Sequence, residues 1–240
     1  MAGKIAYYTA YFGPDSGWTN IVPPLFSRRH DCYYFTNNEK TLHKAADQGW
    51  IPVFLPSVPD SSEYLVNAMN SKELKLCPHR FTQLRDYEYT CWIDSTLIAF
   101  DEKIDTIVQM MDNEEILMCL TRHPNDWRSV WDEFNATSQL VKQQSSLASY
   151  KSYIQRRLDQ GYKADTECFH CTGFLLRRNV EKVHLLCDLW LREVGECGVN
   201  CQICFHFVRQ MYDGTVIGLK FYEFWDYNEP GVVFKYPDLI

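Results

Sequence analysis

Asp94 closes the apolar run Tyr89-Thr-Cys-Trp-Ile and is followed at once by the hydroxyls of Ser95 and Thr96. Asp is depleted inside strands, so a carboxylate at the end of such a run sits where a strand leaves its sheet. Open α/β sheets bind ligands outside the carboxyl ends of their strands. A hard oxygen ligand there suits Mg²⁺ or Mn²⁺ carrying a diphosphate, and the hydroxyls suit a ribose or a metal-bound water. The same residues also read as a strand end that opens a turn. Lys75 and Arg80 lie just upstream and are natural contacts for a diphosphate or a base. The neighbouring Lys72 reads as a solvated helix cation.

Cysteines offer a different chemistry. Cys168-Phe-His-Cys171 and Cys201-Gln-Ile-Cys204 form two C-x-x-C pairs, a spacing known from zinc sites. Against zinc, Cys171 opens an apolar strand, and Cys201 and Cys204 share a helix face that continues through Phe205 and Val208. Buried thiols commonly act as small hydrophobes. A zinc-stabilised interaction module is the alternative these pairs support.

The elements that must position these groups alternate. Apolar runs at Lys4–Phe12, Asp31–Thr36, Trp50–Leu55, Tyr89–Asp94, Ile116–Thr121, Phe169–Arg177 and Thr215–Phe221 read as strands. Glu39–Gln48, Ser62–Leu76, Asp101–Met111, Val180–Val194 and Gln202–Met211 read as helices. Asp126–Leu158 is helical in pattern with a break near Gln143–Ser146, and the tail from Phe224 is irregular. Alternation of this kind specifies an α/β protein with a mostly parallel sheet. With 240 residues and no linker or repeat, one domain is expected, its donor-binding part over about 1–100 and its acceptor side over about 115–240.

The formal net charge of −7 argues against nucleic acid, which demands a basic surface. It permits a single nucleotide neutralised by a metal and a few cations. Met1-Ala-Gly-Lys-Ile-Ala-Tyr-Tyr has no signal-like apolar core, and no apolar run approaches the ~20 residues of a membrane span. The expectation is a soluble cytoplasmic protein with free thiols.

Four ordered segments carry a family resemblance: Trp92-Ile-Asp94 with Leu97, Arg122-His123-Pro124 with Asp132-Glu133, Leu189-Trp190 through Glu193-Val194, and Cys201-Gln202 through Phe205. Together, over roughly 75–210, they resemble the plant mucilage-related glycosyltransferase-like family, earlier carried as a domain of unknown function and partly as alkaline ceramidase. Small unanchored transferases of large algal viruses are similar as well. The resemblance implies a GT-A-like, Rossmann-like fold and a UDP- or GDP-sugar donor. Asp94-Ser95-Thr96 resembles the Asp-x-Asp signature of such enzymes, with Thr96 in place of the second acid. Cys201-Gln202 stands where the family tends to have Asp-Gln.

On that reading, Tyr8, Thr9 and Ala10 end the first strand where the base is received. Lys75, Arg80, Asp94, Ser95 and Thr96 bind the rest of the donor, and Asp94 carries Mn²⁺ or Mg²⁺. Glycosyl transfer passes through an oxocarbenium-like state, so stabilising the leaving diphosphate is the main electrostatic task. Asp165 and Glu167 are candidate general bases for an acceptor hydroxyl, and Gln202 is the polar candidate on the opposite face. His123, Asp132 and Glu133 are candidates for holding the glycan acceptor. Loss of the second acid leaves a third reading, a sugar-binding domain without catalysis.

Overall fold

A computed structural model describes residues 5–14, 22–56, 64–99, 101–123, 125–213, 221–224 and 233–235. In chain order the elements are β1 (Ile5–Tyr11), β2 (Asp31–Thr36), α1 (Glu39–Asp47), β3 (Ile51–Phe54), α2 (Tyr64–Leu76), β4 (Tyr89–Ile93), β5 (Leu97–Ala99), α3 (Asp101–Glu114), β6 (Met118–Arg122), α4 (Val130–Thr137), α5 (Leu147–Asp159), β7 (His170–Arg178), α6 (Glu181–Cys197), α7 (Cys201–Asp213), β8 (Phe221–Phe224) and β9 (Val233–Lys235). Short 3₁₀ turns cover Pro78–Arg80 and Val141–Ser146, the second at the expected break in the long helical pattern. Of the late strand expected over Thr215–Phe221, only Phe221 lies within the described residues, and it begins β8. The irregular tail contains β9, which pairs with β5 in a separate two-stranded ribbon.

The main sheet has seven strands in the order β3-β2-β1-β4-β7-β6-β8. β1 is parallel to β2 and β4, β2 is parallel to β3, and β6 is parallel to β8. β7 alone is reversed, antiparallel to both β4 and β6. The sheet is therefore mostly parallel, as the alternation of strands and helices implies.

Strand residues alternate between two apolar layers, the period-two consequence of the pleat. Ala6, Tyr8, Phe35, Trp92 and Leu175 pack on one face with residues of α2, α5, α6 and α7. Ile5, Tyr7, Tyr34, Cys91 and Phe174 pack on the other with α3, through Ile104, Ile107, Val108 and Met111. Both faces are thus covered, which is what a mostly parallel sheet requires.

The reversal of β7 matters most for the site. Because β7 runs against β4, its first residues lie beside the last residues of β4: Ile93 pairs with Phe174, and the Asp94 N–H donates to the Gly173 carbonyl at 2.8 Å. β6 ends at the same edge, where the His123 N–H donates to Phe169 O at 2.7 Å.

The link from α6 to α7 turns on Gly198, the C-cap of α6, at φ +117°. A Cβ there would meet Tyr150 Cε1 at 2.8 Å. Gly198→Ala combines a left-handed backbone with that clash and is expected to cost about 1–3 kcal/mol, read as a fall in the midpoint of chemical denaturation.

Candidate active site

Asp94 lies at the mouth of a cavity of about 360 Å³ whose lining includes Lys72, Lys75, Glu133, Cys201 and Gln202. Lys72 and Lys75 are three residues apart on α2 and therefore share a face. Lys75 Nζ donates to Asp94 Oδ1 at 3.0 Å, and Trp92 Nε1 donates to the same oxygen at 2.5 Å. The Lys75 side chain is 3% exposed and Asp94 42%, so a buried ammonium presents a half-open carboxylate to the cavity. Lys75 Nζ also lies 5.4 Å from the centroid of the Trp92 ring. Asp94 Oδ2 makes no hydrogen bond among the described residues.

Cys201 and Gln202 arrive from the opposite wall at the start of α7. Asn200 caps that helix, its Oδ1 accepting from the Gln202 and Ile203 N–H groups at 3.0 Å each. The Cys201 thiol lies 3.0 Å from Thr172 Oγ1, and Thr172 stands on β7 two residues before Phe174, the partner of Ile93. Burial pushes the Cys201 thiol up, but the ammonium groups of Lys72 and Lys75 and the Thr172 hydrogen bond outweigh it and bring it below its usual value. Conversely, burial pulls Lys72 down, and the charges of Cys201 and Asp94 hold it above its ordinary range.

Glu133 is 6% exposed and fully engaged. It accepts from Asn200 Nδ2 at 2.8 Å, Thr137 Oγ1 at 3.2 Å and Gln202 Nε2 at 2.7 Å. Burial lifts its carboxyl above the usual range, against the lowering effect of those hydrogen bonds. Gln202 Oε1 also accepts from the Thr172 N–H at 3.4 Å, so its amide is held at both ends.

Two further cavities join this one through shared residues. One of about 380 Å³ lies along Ala10–Pro14 at the end of β1 and the α2 face of Asn67 and Ser71; it shares Tyr64 and Lys72 with the Asp94 cavity. The other, about 320 Å³, is lined by Asp165, Phe169, His170, Phe205 and His206 and shares Gln202.

The residues singled out from sequence distribute unevenly over this track. Lys75, Asp94, Glu133 and Gln202 meet in the central cavity, and Ala10 and Asp165 line its neighbours. Tyr8 and Thr9 are fully buried, and the Tyr8 hydroxyl donates to Lys75 O at 3.1 Å, so Tyr8 supports α2 from the core. Arg80 turns to Asp188 at 2.8 Å and Glu73 at 3.2 Å and lines none of the three cavities. Ser95 and Thr96 form the turn after Asp94 and do not line them either. Asp132 completes the Ser129 capping box of α4, accepting from the Arg128 and Ser129 N–H groups at 3.0 and 2.9 Å. Glu167 is exposed outside the cavities. His123 stacks on Trp127 at 3.6 Å, and burial pushes its imidazole down to about 4. It reaches the site only through Trp127, which lines the central cavity.

Tyr64 and Trp127 line the central cavity without any signal in the sequence, and Lys72 and Cys201 line it in place of the solvated helix cation and the zinc or core thiol that the sequence suggests. The signal for Lys72 was present as its three-residue spacing from Lys75.

The cysteine pairs do not converge on a metal. Among the described residues, one group of three ligating side chains has its ligand atoms within 4.8 Å of one another, and it is Cys77, His79 and Asp188. No disulfide joins any of the ten cysteines, and Cys204 is buried in the core with Phe205. No helix among the described residues is long and apolar enough to cross a membrane.

At Asp94 the donor set suits a divalent cation. One carboxylate oxygen is unbonded, and Mg²⁺ needs only one or two protein carboxylates beside phosphate oxygens and water. Lys72 and Lys75 place two ammonium groups in the same cavity as the Asp94 carboxylate.

Comparison with solved structures finds mouse xyloside xylosyltransferase 1 in its apo form, 8% identical, TM-score 0.48, covering 92% of this chain and 84% of that one. Core-mannan synthase A (CmsA/Ktr4) from Aspergillus fumigatus, in a Mn/GDP form, is 8% identical with a TM-score of 0.45, covering 85% and 69%. No curated protein matches the sequence. The model of the TOD1/MUCI70 glycosyltransferase-like domain matches residues 27–233, and the chain belongs to that family.

Proposed function

We propose that this protein moves a sugar from a nucleoside diphosphate sugar to a hydroxyl of a glycan, with a divalent cation held at Asp94. The observation that carries this reading is the juxtaposition of Asp94, Lys72 and Lys75 in a cavity that continues, through Lys72 and Tyr64, to the end of β1. The nucleoside occupies the Ala10–Pro14 cavity, the diphosphate lies over Lys72, and the sugar faces Glu133 and Gln202.

The bond from the anomeric carbon to the diphosphate oxygen breaks, and its electron pair leaves with the diphosphate. The acceptor oxygen forms the new bond, and its proton passes to a carboxylate, for which Asp165, across Gln202, is our assignment. When bound, the cation supplies Lewis-acid stabilisation of the leaving diphosphate. Lys72 and Lys75 supply fixed charge at the same end and need not reorganise during the reaction. Gln202, clamped between Glu133 and the Thr172 N–H, presents a polar group to the reacting centre in a set orientation.

The test is nucleotide release from a panel of UDP- and GDP-sugars with Mn²⁺. At least one donor is expected to turn over in the wild type, and Lys72→Ala is expected to slow it by about 10²-fold. Donor binding without turnover on any acceptor would instead support a sugar-binding domain that has lost catalysis.

A further inference from the structure

Away from the donor cavity, the end of α2 and the middle of α6 bring three different ligating atoms together. Cys77 follows the last residue of α2, and His79 lies in the short turn Pro78–Arg80. Asp188 stands on α6, four residues after His184. The Cys77 thiol lies 3.4 Å from Asp188 Oδ1, and His79 Nε2 lies 3.2 Å from the same oxygen. All three ligating atoms lie within 4.8 Å of one another. In a tetrahedral zinc site with bonds of about 2.0–2.3 Å, neighbouring ligand atoms are ~3.3–3.6 Å apart. Two edges of such a site are therefore in place, and the third closes by a small movement of side chains.

Burial is graded across the cluster. Cys77 is fully buried, while the side chains of His79 and Asp188 are 14% and 41% exposed. The thiol end is dry and the carboxylate end is open to water. The His79 ring is stacked on His184 at 4.3 Å, and His184 Nε2 is tied to Asn179 Oδ1 at 2.7 Å. Burial, and then the charge of His184, push the His79 imidazole below its ordinary value, which favours the neutral form that binds metals. One cation competes for the carboxylate: Arg80 donates to Asp188 Oδ1 at 2.8 Å. Its side chain is 44% exposed and also reaches Glu73 at 3.2 Å, so it can turn to Glu73 alone at the small cost of an exposed ion pair.

We infer that Cys77, His79 and Asp188 bind one Zn²⁺, with water in the fourth position, and that the ion ties the end of α2 to α6. On binding, the Cys77 thiol gives its proton to solvent and the sulfur bonds the metal as thiolate, while the imidazole proton stays on Nδ1. Sulfur, nitrogen and oxygen together select zinc, whereas the lone carboxylate of Asp94 suits a hard cation. The zinc site is thus separate from the donor-side metal and does not depend on the transferase reading.

The experiment titrates chelator-washed protein with Co²⁺, a spectroscopic substitute for zinc, and then with Zn²⁺. One equivalent of Co²⁺ is expected to produce a sulfur-to-cobalt charge-transfer band, and one equivalent of Zn²⁺ to abolish it. Cys77→Ser is expected to lose the band, and Asp94→Asn to keep it. Zn²⁺ is expected to raise the melting temperature of the wild type and leave that of Cys77→Ser unchanged. Absence of the band in the wild type overturns the inference, as does a band that persists in Cys77→Ser. If Cys77→Ser does not fold, His79→Gln takes its place: it is expected to bind Zn²⁺ at least about tenfold more weakly, and wild-type affinity in that variant overturns the inference.

Discussion

Asp94→Asn is expected to reduce glycosyl transfer by about 10²–10³-fold, the usual loss when one preorganised charge-stabilising group is removed. The substitution preserves the shape of the side chain and an acceptor for Trp92 Nε1, so the fold around the end of β4 is retained. It removes the one carboxylate that, among the described residues, lines the cavity with an unbonded oxygen, and with it the proposed anchor for a divalent cation. Glu133 cannot take over, because its oxygens are already used by Asn200, Thr137 and Gln202. The Mn²⁺-dependent part of nucleotide binding should therefore fall with the rate. A variant that keeps that part while losing turnover would move the metal elsewhere and leave Asp94 as a simple partner of Lys75.

The second large effect is on stability and lies away from the reacting atoms. Arg177 on β7 is 1% exposed and has no carboxylate partner among the described residues. Its guanidinium instead donates to Leu76 O at 3.0 Å and Lys75 O at 2.7 Å and bonds the Tyr8 hydroxyl, joining β7 to the last carbonyls of α2 and to β1. A cation at a helix C-terminus is favoured by the helix dipole, and the last carbonyls of a helix need partners. Arg177→Ala removes the side-chain donor to Leu76 O, leaves Lys75 O to the Tyr8 hydroxyl alone and opens a cavity in the core, an expected loss of about 3–5 kcal/mol. For a protein of this size that corresponds to a melting temperature lower by on the order of 10 °C. Because Lys75 O loses one of its two side-chain donors, nucleotide binding should weaken in the part of the protein that remains folded. A melting temperature within a degree or two of the wild type would contradict this role for Arg177.

Much of this architecture is legible in the sequence because its signals are local. The apolar runs at Asp31–Thr36 and Tyr89–Ile93 and the helical pattern ending at Leu76 reflect periodicity and capping, which depend on neighbours in the chain. The direction of β7 is not local. Composition is the same for a parallel and an antiparallel strand, so nothing in His170–Arg178 announces that its start will lie beside Asp94. That reversal brings Thr172, and through it Cys201, to the site, which explains why the cysteine was read first as a zinc ligand or core filler. Asp132 and Glu133 are adjacent acids with different fates. The Ser129-x-x-Asp132 box assigns Asp132 to the helix start, and by elimination the next carboxylate is the one free to turn inward. Arg80 and Glu167 show the limit of proximity in sequence: both neighbour site residues, yet Arg80 is captured by Asp188 and Glu73, and Glu167 lies in solvent.

A diphosphate site made by Asp94, Lys72 and Lys75 and completed by a divalent cation is put to the test by calorimetric titration of UDP and GDP into the purified protein with Mn²⁺ and with chelator, alongside Asp94→Asn. One nucleotide is expected to bind the wild type, Mn²⁺ to tighten this binding at least tenfold, and the gain to vanish in Asp94→Asn. Absence of binding by either nucleotide in both conditions, or a Mn²⁺ gain that survives in Asp94→Asn, would contradict it.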